Sequence, residues 1–117
     1  TQRRGAYEQK MVPGSLAHRA YGTLVVSERH RHRYEFNNAY RALFEEKGMR
    51  ITGTSPDGGL VEVIEMAGHP WFLAVQCHPE FKSKPTQPQP LFRDFIGAAL
   101  VHRRERQKPR SAVATVN

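Results

Sequence analysis

The sequence predicts an α/β fold, on three observations. Strand-like and helix-like segments alternate along its 117 residues. Residues 71–76 open with a near-continuous apolar run, Trp-Phe-Leu-Ala-Val, the composition of a buried strand. Near the end, Leu91, Phe92, Phe95, Ile96, Ala99 and Leu100 recur at helical spacing. A chain of this length builds one small domain with a thin core. Its hydrophobic share, 38%, is low for an independent globule. Part of its apolar surface is therefore expected to face a neighbour, or part of the chain to stay unfolded.

The elements follow in order. Residues 5–11 read as a short strand, and Pro13-Gly14 as a turn. Ser15 is placed to cap a short helix carrying Leu16, Ala17, Ala20 and Tyr21. An extended stretch starts at 24–26 and runs through the alternating residues 31–36. Asn37-Asn38 is expected to cap a helix over 39–47, with Tyr40, Leu43 and Phe44 as its apolar stripe and Gly48 as its stop. Residues 49–54 and 60–66, separated by Ser55-Pro56-Asp57-Gly58-Gly59, read as a β-hairpin. Residues 82–90, rich in Pro, Lys and Gln, read as a surface loop. Residues 101–117 read as a basic tail without fixed structure.

Charge and cysteine content narrow the class. The net charge is +7, but the tail holds +4 of it through Arg103, Arg104, Arg106, Lys108 and Arg110 against Glu105. The body, residues 1–100, is only mildly basic, which argues against a nucleic-acid footprint. A single cysteine, Cys77, excludes a disulfide framework and suits a reducing, cytoplasmic setting. No apolar run approaches the ~20 residues of a membrane span, and no signal peptide is visible. The chain opens on Thr1 rather than Met, so it is expected to be part of a longer product.

The chemistry concentrates at Val75-Gln76-Cys77-His78-Pro79-Glu80-Phe81. A strand ends there, and an imidazole and a carboxylate emerge two residues apart. Pro79 stops ladder pairing and holds His78 extended. A carboxylate on one ring nitrogen fixes the tautomer and leaves the other nitrogen to take a proton from a thiol. His78 and Glu80 are thus the base and orienting acid of a Cys-His-Glu triad. The plainer reading is a His-Pro turn beside a surface acid, which His69-Pro70 exemplifies in the same chain. Cys77 itself reads as a small buried residue, since neighbouring strand residues point to opposite faces.

The other feature is Ser27-Glu28-Arg29-His30-Arg31-His32-Arg33-Tyr34-Glu35-Phe36. An extended backbone puts Arg29, Arg31 and Arg33 on one face and His30 and His32 on the other. Guanidinium forks on one face suit a carboxylate or a phosphate. A solvated charged edge strand is the plain alternative. A nucleic-acid patch lacks a second basic element and interleaved aromatics. A metal bound by His30 and His32 lacks further ligands of the right type, so no metal is expected.

Three stretches together resemble the CTP synthase family, in the C-terminal part of its class I glutamine amidotransferase domain. They are Ser27 to Asn38, Gly53-Thr-Ser-Pro-Asp-Gly58, and His78-Pro-Glu-Phe-Lys-Ser-Lys-Pro85 with Pro90-Leu-Phe92. His-Pro-Glu alone would suit any class I amidotransferase. The Arg-His-Arg-His-Arg-Tyr-Glu run and the Phe-Lys-Ser extension point to CTP synthase. The resemblance covers residues 1–100 and leaves 101–117 outside it. It implies the end of a doubly wound domain, incomplete as given, that hydrolyses L-glutamine through a cysteine thioester. The ammonia would pass to a synthase domain that aminates UTP, using ATP and Mg2+. It implies His78 as base, Glu80 as its orienting acid, and Arg33 on the glutamine α-carboxylate with Tyr34 nearby. It places the nucleophile elbow and the synthase domain, with its ATP and Mg2+, before Thr1. No cofactor is expected in this part, which alone should hydrolyse no glutamine. The intact enzyme is expected to be a homotetramer. The chain departs from the family pattern at Cys77, where an aromatic residue is usual. Gln89 replaces a histidine between prolines, and Gln2 and Arg4 replace apolar residues.

Overall fold

The computed structural model describes residues 3–32 and 34–107. Five strands form one sheet: β1 (Arg3–Met11), β2 (Val25–His32), β3 (Met49–Thr54), β4 (Val61–Met66) and β5 (Leu73–Val75). They lie in the order β2-β1-β3-β4-β5, every neighbouring pair antiparallel. Three α-helices accompany them among the described residues: α1 (Leu16–Tyr21), α2 (Arg41–Glu46) and α3 (Pro90–Gln107). The mixed α/β composition agrees with the sequence.

The capping residues act as their chemistry requires. The Ser15 side chain accepts from His18 N, and α1 stops at Gly22, at φ 73°. The first backbone N–H groups of α1 find a second acceptor in Glu65 of β4. Leu16 N and Ala17 N donate to its two oxygens at 3.0 and 2.9 Å, and Thr52 Oγ1 donates at 2.8 Å. The Asn37 side chain caps a 3-10 turn, Asn38–Tyr40, that leads into α2. β3 and β4 form the expected hairpin, with a register shift at Gly53. A Cβ on Gly53 would lie 2.5 Å from Val63 Cγ2, so only glycine lets β3 approach β4 there.

The core is small: Met11, Ala17 and Val63, with Tyr21, Val26, Leu73 and Val75 packed on it. β1 and β2 pair along eight registers, but β1 meets β3 at only two, Lys10 with Thr54 and Met11 with Gly53. Beyond that junction Arg3 of β1 and Glu62 of β4 join through their side chains.

Two expectations need correction. The apolar run over 71–76 forms only the short strand β5, half-buried rather than buried, because it pairs with β4 on one side alone among the described residues. Helix α3 runs to Gln107, seven residues into the expected tail, because Val101 to Gln107 continue its turns. Residues 108–117 lie outside the described part. Phe92, Phe95, Ile96, Leu100 and Val101 of α3 are exposed. No helix among the described residues is long and apolar enough to cross a membrane.

Candidate active site

β5 delivers the chain to His78. Its N–H donates to the carbonyl of Arg29 on β2 at 2.7 Å, which fastens the strand end across the sheet. Pro79 starts a 3-10 turn, Pro79–Lys82, and Glu80 lies in its first residues. The turn folds Glu80 back so that its Oε2 lies 2.8 Å from His78 Nδ1. That bond holds the Glu80 carboxyl below the usual glutamate range. Glu80 accepts only, so Nδ1 carries the hydrogen and Nε2 is the nitrogen with a lone pair. The His78 side chain is partly exposed, 38%. The Phe81 ring lies 5.6 Å from the imidazole and limits its swing.

Cys77 turns the other way and is buried. Burial, reinforced by the charges of Glu28 and Glu62, pushes its thiol up to about 12. Such a thiol stays protonated and inert at ordinary pH, as the strand alternation implied.

Tyr34 follows β2 with its side chain 84% exposed, and its carbonyl faces the ring of His32. Arg33, the expected carboxylate fork, lies outside the described residues. Arg29 and Arg31 share the exposed face of β2, as the alternation predicted, and the Arg29 guanidinium lies 6.0 Å from the Phe81 ring.

The inner face of β2 carries residues the sequence reading missed. Glu28 is buried and accepts from Tyr21 Oη at 2.5 Å and from Gln89 Nε2. Gln89 Nε2 also lies 3.1 Å from Tyr21 Oη, and Gln89 Oε1 accepts from Leu91 N at 2.6 Å. Lys82 Nζ donates to the carbonyl of Ser27 at 2.6 Å. The loop after His78 is therefore tied back to β2, and the Gln89 side chain is held by hydrogen bonds to Glu28, Tyr21 and the backbone of Leu91. Two residues on, His30 and His32 meet Glu62, with ligand atoms within 4.8 Å of one another. This is the third ligand that the sequence did not reveal, since Glu62 is thirty residues away. Arg3 already occupies Glu62, through Nη1 at 2.8 and 3.0 Å from its two oxygens. The signal available in sequence was the isolated Glu62 inside an apolar strand.

Comparison with known proteins identifies relatives of this chain. The family model "Glutamine amidotransferase class-I" matches residues 2–98. A CTP synthase of Pelotomaculum thermopropionicum is 63% identical over 106 residues, which cover 91% of this chain and 20% of that protein. One of Geobacter metallireducens is 60% identical over 108 residues, covering 92% and 20%. The glutaminase domain of Trypanosoma brucei CTPS with bound acivicin superposes with a TM-score of 0.80 at 36% identity, over 86% of this chain and 40% of that one. The chain thus spans about one fifth of the length of these curated relatives.

Proposed function

Because this chain belongs to the class-I glutamine amidotransferase family, we propose that it supplies the base and orienting acid of the glutaminase site in a CTP synthase. The observation that carries the reading is the 2.8 Å contact of His78 Nδ1 with Glu80, which leaves Nε2 of a partly exposed imidazole without that partner at a strand end. In the proposed reaction, Nε2 takes the proton of a cysteine thiol held elsewhere in the intact protein. The thiolate attacks the glutamine side-chain amide, and His78 returns the proton to the departing nitrogen as ammonia. Water, deprotonated in turn by His78, cleaves the thioester to glutamate. Glu80 stabilises the imidazolium in both halves. Arg33 grips the α-carboxylate of L-glutamine, with Tyr34 beside it.

The ammonia then aminates UTP in a synthase portion outside this chain. By the same resemblance, ATP and Mg2+ would be used there too. The intact enzyme is read as a cytoplasmic homotetramer. The test is His78→Ala in the full-length protein. CTP formation from UTP should be lost with glutamine and kept with ammonium. Unchanged glutamine-dependent synthesis would sink the assignment. Ammonia delivered to an acceptor other than UTP would assign the chain to another amidotransferase.

A further inference from the structure

The turn that carries His78 and Glu80 holds itself poorly. It is a single 3-10 turn, Pro79–Lys82, a geometry whose hydrogen bonds are strained. Its own closures are long: Phe81 N donates to the His78 carbonyl at 3.2 Å, and Ser83 N to the Glu80 carbonyl at 3.3 Å. Packing adds little, since the Glu80 and Phe81 side chains are exposed. Its place therefore depends on what ties it to the sheet. At the start, His78 N donates to the Arg29 carbonyl of β2 at 2.7 Å. At the end, Lys82 Nζ donates to the Ser27 carbonyl of β2 at 2.6 Å. Ser83 Oγ accepts from Gln89 N at 3.1 Å, but that bond joins the turn to the loop leading into α3, not to β2.

The second tether is electrostatic as well as a hydrogen bond. Glu28, the residue after Ser27, is buried. Its Oε2 accepts from Tyr21 Oη at 2.5 Å and from Gln89 Nε2, both neutral donors. Its Oε1 is buried and has no hydrogen-bond partner among the described residues. Lys82 Nζ lies 3.9 Å from that oxygen and is the one cation paired with Glu28 among the described residues. At that separation it contributes charge rather than a hydrogen bond. A buried carboxylate without a counter-charge is costly, so the ammonium is drawn over the end of β2, where it also meets the Ser27 carbonyl. A bond from a charged donor is shorter and stronger than a neutral one, as the 2.6 Å distance reflects. The Lys82 side chain is 50% exposed, so water screens part of the attraction, and the tether is worth less than a fully buried pair.

We propose that Lys82 is a positioning residue for the His78–Glu80 pair: its ammonium, held by the buried Glu28 carboxylate and the Ser27 carbonyl, fixes the far end of the turn that carries both groups. Lys82 acts through the backbone of the turn and Glu28 through Lys82. The consequence for glutamine turnover rests on the glutaminase reading, but the tether itself does not.

Lys82→Met in the full-length protein keeps most of the stem and removes the ammonium. Hydrogen exchange at the amides of His78, Phe81 and Ser83 should become about tenfold faster, the loss of one partly screened charged hydrogen bond. Unchanged exchange there would overturn the tether. In kinetics, the glutamine-dependent kcat should fall about tenfold while the glutamine KM stays within about twofold, because the reacting groups are displaced and the binding groups are not. The ammonia-dependent rate should not change. Lys82→Arg keeps a charged donor and should restore most of the kcat. A rise in KM alone, or no rescue by Arg, would refute positioning. Glu28→Gln tests the charge: in that background Lys82→Met should cost less than about threefold, because the two residues act as one unit. An undiminished loss would show that Glu28 does not hold Lys82. A full-length protein that hydrolyses no glutamine would instead refute the glutaminase reading, and the exchange rates would still decide the tether.

Discussion

Replacing Arg3 by Met removes the cation from the buried Glu62 carboxylate while keeping most of the aliphatic stem. Arg3 Nη1 contacts both oxygens, at 2.8 and 3.0 Å, and the two side chains are 12% and 0% exposed. Removing one member of a buried pair costs about 3–5 kcal/mol. Arg3 keeps some exposure and Glu62 can take up a proton, so the lower end, about 3 kcal/mol, is expected above neutral pH. That corresponds to roughly a 150-fold larger opening equilibrium. Hydrogen exchange of the β4 peptide, residues 61–66, in the full-length protein reads it, because Arg3 ties β1 to β4 beyond a junction of only two strand pairs. The sign with pH is specific. Burial raises Glu62, so the folded state favours its protonated form. Without Arg3 this bias increases. The penalty should be small below the ordinary glutamate range and grow as pH rises through the folded-state value. After correction for intrinsic exchange, a pH-independent change, or one under about 1 kcal/mol, would refute the reasoning.

Three further outcomes are expected. Glu80→Gln should lower glutamine-dependent kcat about 100-fold or more and spare the ammonia-dependent rate. Because His78 holds Glu80 below the usual range, wild-type activity should not lose this carboxylate until pH falls past ordinary glutamate titration. Cys77 in the native protein should resist iodoacetamide, with its thiolate fraction roughly 1,000-fold below that of a free cysteine. Denaturant should expose it, and fast labelling of native Cys77 would contradict its burial.

The sequence made legible whatever is decided by near neighbours. The cap at Ser15, the hairpin at 55–59 and the alternation of Arg29 and Arg31 against His30 are local rules, and each appears in the structure. His78 and Glu80 were found for the same reason, since two residues and a proline set their contact. What stayed hidden depends on long-range pairing. Glu62 and Glu65 read as polar interruptions in an apolar strand. Both are buried because Arg3, 59 residues away, and the start of α1, some fifty residues away, supply their partners. The strand over 71–76 was read as buried from its composition, but composition reports apolarity and cannot report how many neighbours pair with it.

The same distinction explains how the site is built. The acid–base pair is a local device, and it could form in a short peptide. Its placement is not local. His78 N is bonded to the Arg29 carbonyl, and Lys82 to the carbonyl of Ser27, so the turn that carries His78 and Glu80 is pinned to β2 on both sides. β2 also leads directly into Arg33 and Tyr34, whose carbonyl end is held by His32. β2 therefore fixes where the proposed base sits. Since near-attack geometry tolerates errors of only about an ångström, the buried contacts that hold β2 should affect the proposed glutamine turnover through the placement of His78. Glu28, held by Tyr21 and Gln89, secures β2 itself, and Glu62 with Arg3 ties its paired strand β1 to β4. The two buried carboxylates are thus better understood as the fixed supports of the site than as parts of a core, which is why an otherwise thin apolar centre suffices here.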